Sequence, residues 1–286
     1  MRAVLATAPV GPQTENEDFA AVTPSAAVLL DGAGTPAGLG TGCIHGIAWY
    51  ARTLGTVLLS QIAAADSGPL ADCLHAAIRD VTSRHEDTCD LSHAGSPAAT
   101  VVATRIRGDE LEYLVLSDSV LVLSSDGANQ VVTDHRIETA SRPHRGQFEG
   151  MPIGTAGRDA AFRQYVQTVR AMKNTDAGYW VASAEPEAAH RAICGSVAVT
   201  GLRAALLLSD GASRLADVFG LVSWDELVSL VLESGPAELI RQVRLAEASD
   251  PDGSRWRRGK AVDDATVVCC DQLAAGFAAP AGSAGE

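Results

Sequence analysis

Five acidic side chains stand beside apolar runs typical of buried strands, and this recurrence is the chemically informative feature of the sequence. Asp31 ends the run "AVLLD" and Asp210 ends "ALLLSD", while Asp264 precedes "ATVVCC". Asp18 in "ENEDFAAV" and Asp118 in "YLVLSDS" complete the set. No Lys or Arg lies within three residues of any of them. Because a carboxylate at a buried strand end is costly unless neutralised, convergence of these ends would require cations.

The ligands that these acids offer are oxygen atoms, with no His or Cys beside them. Oxygen ligands suit Mg²⁺ or Mn²⁺ and disfavour zinc. Glycine follows Asp31 and Asp210, as Gly32 and Gly211, and would let the backbone approach the ions and supply a carbonyl ligand. Two such ions can bridge a water, lower its pKa and direct it at a phosphorus atom. One acid alone is better explained as a turn residue, but five together favour a metal site.

The elements that would position the acids combine helices and strands. Apolar residues at steps of three and four predict helices over 42–65 and 69–85. Runs rich in Val and Leu predict strands over 99–106, 111–116 and 120–125, which we interpret as an antiparallel meander.

The second half of the chain continues the alternation. A strand is expected over 203–210, and a capping box formed by Ser223 and Glu226 opens a helix. A further helix is expected from Pro236 to Ala248, followed by a strand over 265–270. With no linker before 273, we predict one α+β domain over 1–273 and a disordered tail over 274–286.

Composition excludes several classes of protein. Hydrophobic residues make up 47% of the 286 residues, enough for a sizeable core, and the formal net charge of −13 argues against nucleic-acid binding. No apolar run approaches the ~18 residues of a membrane span, and the N-terminus turns polar too soon for a signal peptide. We therefore expect a cytoplasmic protein whose six cysteines are reduced and mostly buried.

Five short motifs follow one another along nearly the whole chain. They are "NEDF" at 16–19, "LLDGAG" at 29–34, "SDS" at 117–119, "LLLSDG" at 206–211 and "DDATVV" at 263–268. In this order they resemble the motifs of the metal-dependent protein phosphatases of the PP2C (PPM) family. The chain is similar to a divergent bacterial member of that family. The resemblance implies an α-β-β-α sandwich of two antiparallel sheets flanked by helices, with a binuclear Mg²⁺/Mn²⁺ centre in a cleft at one end.

The resemblance also implies roles for the motif residues at the two ions. Asp31 would bridge both ions, and the Gly32 carbonyl would bind one of them. Asp210 and Asp264 would complete the ligands of the other ion. Together Asp31, Asp210 and Asp264 would form the catalytic core.

Three further acids take outer roles by the same resemblance. Glu17 and Asp18 would act mainly through metal-bound waters. Asp118 is similar to the residue that, in bacterial members, holds a third and weaker ion together with Asp210.

The match fails at residues that handle the substrate. The family has a phosphate-gripping Arg four residues before the Glu of its acidic motif, and here that position is Gln13, which carries no charge. The motif "DGHG" is "DGAG" here, so Ala33 replaces the candidate general acid. The usual Gly-Asp-Ser-Arg ends in Val120. Metal ligands are thus kept while phosphate binding and proton donation are altered.

Three other features are weaker candidates for a role in the site. Asp126 in "SSDGANQ" has polar flanks and predicts a hairpin turn, so it is left out. His45, placed within the first predicted helix, could approach the cleft, although a structural role is the more common one for such a His. The segment 134–173, where the family has its substrate-facing flap, holds seven basic residues against four acids and could steer a phosphorylated ligand or form a solvated helix face.

We predict a Mg²⁺/Mn²⁺-dependent phosphatase that hydrolyses phosphate monoesters by direct attack of a metal-bridging water. The expected substrate is phosphoserine or phosphothreonine in a protein, with a small phosphorylated metabolite as the alternative. We expect a monomer with no nucleic-acid or membrane partner. The rival is a catalytically weak or inactive binding or regulatory protein: loss of the Arg and His equivalents favours it, and retention of the acidic ligands opposes it.

Overall fold

A computed structural model describes residues 1–273 and contains ten strands within them. In chain order the strands are β1 (Arg2–Ala8), β2 (Phe19–Val22), β3 (Ala26–Gly32), β4 (Ala99–Arg107), β5 (Glu110–Leu116), β6 (Val120–Ser125), β7 (Asn129–Val132), β8 (Ile193–Ala198), β9 (Leu202–Leu208) and β10 (Ala265–Asp271). The predicted tail, 274–286, lies outside the described residues.

Seven α-helices join these strands in the described part of the chain. They are α1 (Ile47–Ala63), α2 (Leu70–His85), α3 (Arg136–Ser141), α4 (Ala156–Arg170), α5 (Asp210–Asp217), α6 (Trp224–Ser234) and α7 (Pro236–Ser249). Two short 3-10 segments follow α3 and precede β8. Within 1–273, none of the helices combines the length and the apolar character needed to cross a membrane.

The strands form two antiparallel sheets of five strands each. Sheet I has the order β1-β10-β9-β6-β7 and sheet II the order β2-β3-β4-β5-β8. One core cluster lies between the sheets, a second between sheet II and helices α1 and α2, and a third between sheet I and helices α5, α6 and α7. This four-layer arrangement confirms the predicted α-β-β-α sandwich.

The central strands are buried on both faces, which explains their unbroken apolar sequences. Successive side chains of such a strand enter different cores because strand side chains alternate between faces. Cys269 of β10 packs in the helix-facing core of sheet I, and Cys270 packs between the sheets.

The predicted meander was wrong at its third strand. β4 pairs with β5 in sheet II, but β6 lies in sheet I between β9 and β7. Residues 117–119 therefore cross from one sheet to the other, and Ser117 makes the bend with a φ of 68°. Both faces of these strands are buried, so the apolar pattern does not specify which sheet a strand joins.

Helix boundaries agree with the sequence where capping chemistry is present. The Ser223–Glu226 capping box forms as predicted, and Pro236 starts α7. The first helix begins at Ile47 rather than 42, since Gly42 and Gly46 have positive φ values of 70° and 84° that a helix cannot contain. The strands β1, β7 and β8 were not predicted, because they lie at or next to sheet edges and are only partly buried.

Candidate metal centre

The acids predicted to converge lie where the two sheets approach one another at one end. Asp31 is the penultimate residue of β3 in sheet II, and Asp210 is the first residue of α5, separated from β9 of sheet I by Ser209 alone. The Asp210 backbone N–H donates a hydrogen bond of 3.3 Å to the Asp31 carboxylate. The two acids therefore face each other across the sandwich although they are 179 residues apart in sequence.

The glycines that follow these acids are required by close backbone packing. A Cβ on Gly211 would lie 1.9 Å from the carbonyl oxygen of Asp264, and a Cβ on Gly32 would lie 2.7 Å from the carbonyl oxygen of Glu17. The Gly32 N–H also donates to that Glu17 carbonyl at 3.2 Å. Because no side chain fits at either position, the two glycines bring the segments around Glu17 and Asp264 against the Asp31 and Asp210 junctions.

Asp264 has a different environment from the one predicted. One of its carboxylate oxygens accepts a hydrogen bond from the Val10 N–H at 2.7 Å, and the other accepts from the Glu17 N–H at 2.8 Å. Its carboxylate thus ties the N-terminal acidic segment to the start of β10. Both partners of Asp264 are therefore backbone groups of the N-terminal segment, and no hydrogen bond joins its side chain to Asp31 or Asp210.

The preceding residue, Asp263, was missed by the sequence reasoning and faces the other acids. Its charge raises the pKa of both Asp31 and Asp210, after the larger effect of their burial. In the motif "DDATVV" the first Asp lies two residues outside β10, and nothing in the pattern distinguishes it from the second. Only the direction of the backbone before the strand separates the two side chains.

Asp18 is the least compensated acid of the group. Its side chain is 9% exposed, and neither carboxylate oxygen accepts a hydrogen bond of normal geometry. Burial raises the pKa of Asp18 to about 7, with the charges of Asp210 and Asp264 adding to the effect and the nearby hydroxyls of Thr266 and Ser209 opposing it. A buried carboxylate without a protein partner is rare, and a bound cation or an ordered water would satisfy it.

The other predicted ligands share this electrostatic environment. Burial, followed by the charge of Asp210, raises the pKa of Asp118 to about 7. Burial also raises the pKa of Glu17, with Lys260 opposing and Asp264 reinforcing the shift. Asp118 lies at the crossover between the sheets, where Ser117 donates to it at 3.2 Å, so its position follows from β6 leaving sheet II.

Two basic residues reach the cluster, although no Lys or Arg lies within three residues in sequence of the five predicted acids. Lys260 Nζ donates to Asp263 at 2.7 Å, and Arg214 donates to the other oxygen of Asp263 at 2.7 Å. Arg214 also pairs with the buried Glu247 at 2.8 Å. The charges of Asp263, Asp210 and Asp31 outweigh burial and raise the pKa of Lys260.

These two cations leave most of the negative charge uncompensated. The acids of the centre number seven: Glu17, Asp18, Asp31, Asp118, Asp210, Asp263 and Asp264. Their oxygen donors, crowding and unpartnered carboxylate fit Mg²⁺ or Mn²⁺. The residues present therefore suit a site for hard divalent cations.

The residues expected to handle substrate are placed less favourably. Gln13 lies exposed in the turn that precedes the acidic segment, and Ala33 contributes only a backbone hydrogen bond to Ala98. His45 precedes α1 instead of lying within it, and its ring contacts Cys43, Cys89 and Trp49.

The basic residues of 134–173 do not form a free patch. Arg136, Arg142 and Arg145 pair with acids of the same segment. Arg158 is buried and donates to two backbone carbonyls, and Lys173 donates to Ser96 and Ser183. The structure therefore favours a packing role for most of these cations over steering of a ligand.

Comparison with known proteins gives similarity at the level of structure. No family model and no curated protein sequence matches the chain. The serine/threonine phosphatase PstP/Ppp of Mycobacterium tuberculosis is 17% identical, with 94% of this chain and 97% of that chain covered and a TM-score of 0.53. The phosphatase MsPP of Mycobacterium smegmatis, in complex with cacodylate, is 18% identical, with 95% and 98% covered and a TM-score of 0.55. A PstP catalytic domain, 16% identical over 94% of this chain and 97% of that chain with a TM-score of 0.53, contains two manganese ions.

The chain has the fold of the PPM (PP2C) serine/threonine phosphatases. The resemblance seen in the five motifs is thereby confirmed for the architecture. The low identities agree with a divergent sequence on this fold.

Proposed function

We propose that the protein is a Mg²⁺- or Mn²⁺-dependent phosphatase that hydrolyses phosphate monoesters. The observation that carries the proposal is the buried, unpartnered carboxylate of Asp18 within a group of mutually repelling acids at one end of the sandwich. Such a group is costly to maintain unless cations occupy it.

The residues that would hold the ions differ in one position from the sequence prediction. Asp31, the Gly32 carbonyl and Asp210 keep their proposed places, and we add Asp263 as the ligand that the sequence assigned to Asp264. Glu17, Asp18 and Asp118 would take outer positions, where Asp118 and Asp210 would hold a third ion. When bound, the ions supply the Lewis acidity and the activated water that hydrolysis of a phosphate ester requires.

Lys260 provides the positive charge that Gln13 lacks. Its side chain remains 41% exposed, and a Cβ on Gly34 would lie 2.8 Å from its Nζ, so Gly34 leaves the space through which the ammonium reaches the centre. Asp263 holds this ammonium beside Glu17. We propose that Lys260 orients the substrate phosphate, as a point charge in place of a bidentate Arg clamp.

The proposed substrate class is phosphoserine or phosphothreonine in a protein, and the similarity to serine/threonine phosphatases of known structure supports it. A small phosphorylated metabolite is the alternative within the same chemistry. Activity on a phosphopeptide and on a small phosphate ester of equal charge, measured side by side, separates the two.

A second candidate function, a metal-binding regulatory protein without turnover, is favoured by the same Lys260. Its ammonium, together with Arg214, already neutralises Asp263 from both sides. If this neutralisation replaces one of the two ions, the protein would keep its fold and lose catalysis. Ala33, which cannot donate a proton, points in the same direction.

The deciding experiment is hydrolysis of an aryl phosphate by the purified protein with Mn²⁺, with Mg²⁺ and with chelator. Turnover that requires metal and is lost in Asp210→Asn supports the phosphatase. The matched control is Asp126→Asn, in the exposed hairpin between β6 and β7, where another Ser-Asp-Gly motif lies. Metal binding without turnover would support the regulatory protein instead.

A further inference from the structure

A second group of possible metal ligands lies just before α1 and outside the acidic centre. Cys43, His45 and Cys89 bring their Sγ, Nδ1 and Sγ atoms within 4.8 Å of one another. The two sulfur atoms are 3.1 Å apart. His45 Nδ1 lies 3.4 Å from the Cys89 sulfur and 3.7 Å from the Cys43 sulfur.

These separations are close to those of a tetrahedral zinc site. Zinc bonds of about 2.3 Å to sulfur and about 2.0 Å to nitrogen place ligand atoms about 3.5–3.8 Å apart. The two sulfur–nitrogen distances already match, and the sulfur–sulfur distance would open by about 0.6 Å. A disulfide would instead require the sulfurs to close to about 2.05 Å and would give His45 Nδ1 no role.

The donor set favours a soft or borderline metal ion. The Cys89 sulfur lies beside both the Cys43 sulfur and His45 Nδ1. Two cysteine sulfurs and an imidazole select such ions over Mg²⁺ and Mn²⁺.

On one side, the His45 ring faces other aromatic rings, one of which is buried. Its ring stacks on Trp49 at 4.3 Å between centroids, which fixes its orientation. His85 lies 6.0 Å from it, 2% exposed, with Nδ1 unpartnered. Burial, and then the proximity of His45, lowers the pKa of His85. The three ligand residues are themselves part-exposed, so solvent reaches the cluster.

We propose that Cys43, His45 and Cys89 form a zinc site with its fourth position open to water. The inference is independent of the proposed phosphatase activity, because its ligands are soft and none belongs to the acidic centre.

The site joins two segments that the backbone already holds together. The Asp90 N–H donates to the Gly42 carbonyl at 2.8 Å, and a Cβ on Gly95 would lie 2.6 Å from the Gly40 carbonyl oxygen. The loop that carries Cys43 and His45 begins directly after Gly32, next to the acidic centre. Zinc would therefore fix this loop to the segment after α2, and its loss would loosen the chain between β3 and α1.

The test is reconstitution of the reduced, chelator-treated full-length protein with Co²⁺ and with Zn²⁺. We expect one equivalent of tightly bound zinc and, with Co²⁺, the charge-transfer absorption of a thiolate-bound ion together with intense visible bands of tetrahedral cobalt. Cys43→Ser and Cys89→Ser should each lose the charge-transfer band or reduce it severalfold, and His45→Ala should shift the visible bands.

Two controls separate this site from the acidic centre. Cys194→Ser removes an exposed thiol on β8 and should leave the cobalt spectrum unchanged. Asp210→Asn should also retain the thiolate band, even if it abolishes Mn²⁺ binding and turnover. Wild-type protein that shows no thiolate–cobalt absorption would overturn the proposal without any variant. Loss of two free thiols on mild oxidation, with no zinc bound in the reduced state, would overturn it in favour of a Cys43–Cys89 disulfide.

Discussion

The acidic centre and the Cys43–His45–Cys89 cluster lie at opposite ends of the loop that joins β3 to α1, and they offer different donor atoms. The acidic centre offers only oxygen atoms and draws them from segments spread along the whole chain, from Glu17 to Asp264. The Cys/His cluster offers sulfur and nitrogen from two neighbouring segments in the helix layer on sheet II. Each donor set therefore selects a different class of metal ion.

The two regions also differ in how they tolerate the absence of an ion. Two cysteines and one histidine hold far less charge than seven acids, so the Cys/His cluster has a small electrostatic cost without an ion. The acidic centre can lose its charge at neutral pH only by taking up protons. Burial, and then repulsion between neighbouring carboxylates, raises the pKa values of its acids accordingly. Metal removal should consequently disturb the acidic centre more than the Cys/His cluster.

The largest expected effect is on turnover in Asp210→Asn. We expect a loss of more than about 100-fold, since changes to outer-shell partners alone typically cost about 10–100-fold. Thiolate–cobalt absorption should persist in the same variant. Kinetics with an aryl phosphate and cobalt titration check the two regions in one protein. An equal loss of activity in Asp126→Asn would show that the choice of Asp210 over Asp126, between the two Ser-Asp-Gly motifs, was wrong.

The pair Asp263→Asn and Asp264→Asn should separate a ligand from a structural anchor. Asp263→Asn should weaken Mn²⁺ binding and lower stability only in part, since the buried Arg214 keeps Glu247 as its second partner. Asp264→Asn should destabilise the protein by about 1–3 kcal/mol with or without metal, because an amide cannot accept hydrogen bonds from both backbone N–H groups. Mn²⁺ titration calorimetry and denaturant unfolding distinguish them. Reversed results would restore the ligand role to Asp264.

Lys260→Ala should raise the KM for an aryl phosphate by about 10–100-fold. This fold-change corresponds to the loss of one charge-assisted hydrogen bond, which contributes about 1.5–3 kcal/mol. The physical reason is loss of the ammonium held by Asp263. Lys260→Arg should recover part of the loss. If turnover appears or increases in Lys260→Ala, the ammonium competes with a metal ion and the regulatory-protein alternative gains support.

The metal-free protein should become more stable as pH falls from about 8 to about 5. Asp18 and Asp118 have raised pKa values of about 7, against the ordinary 3.8 of an unfolded Asp, so the folded state binds more protons in this window. The destabilisation of the folded state by these two ionised carboxylates is fully present above pH 7. It is relieved as they take up protons toward pH 4. Saturating Mn²⁺ should flatten this dependence. Thermal unfolding at several pH values with and without Mn²⁺ measures it, and a metal-free stability that rises with pH would contradict the burial of uncompensated acids.

Gln13→Arg is the smallest predicted change. It should lower the KM severalfold if the exposed turn of residues 10–14 can bring the new guanidinium to the phosphate. An unchanged KM would assign phosphate binding to Lys260 alone. The double variant Gln13→Arg/Lys260→Ala shows whether the effects of the two charges on the KM are additive or whether one charge replaces the other.

Much of the fold was predictable because local chemistry determines it. Apolar periodicity located α1, α2 and the central strands, and the Ser223–Glu226 capping box located the start of α6. Alternation along β10 correctly assigned Cys269 and Cys270 to different faces. The edge strands β1, β7 and β8 were missed, since partial burial leaves no clear pattern in their sequences.

The sequence by itself determined that acids end or flank several buried strands and that their donors suit hard divalent ions. It also determined the order of motifs that the fold comparison supports. These features are local: a carboxylate, a glycine and an apolar run are visible wherever they lie in the chain.

Only the tertiary structure decided which of these groups meet. It moved β6 to sheet I, turned Asp263 toward Asp31 and Asp264 toward the backbone, and brought Lys260 and Arg214 to the acids. It also placed Cys43 beside Cys89 across 46 residues. The physical reason is that strand pairing and backbone direction depend on packing of both sheet faces against distant segments, which a pattern buried on both sides does not encode.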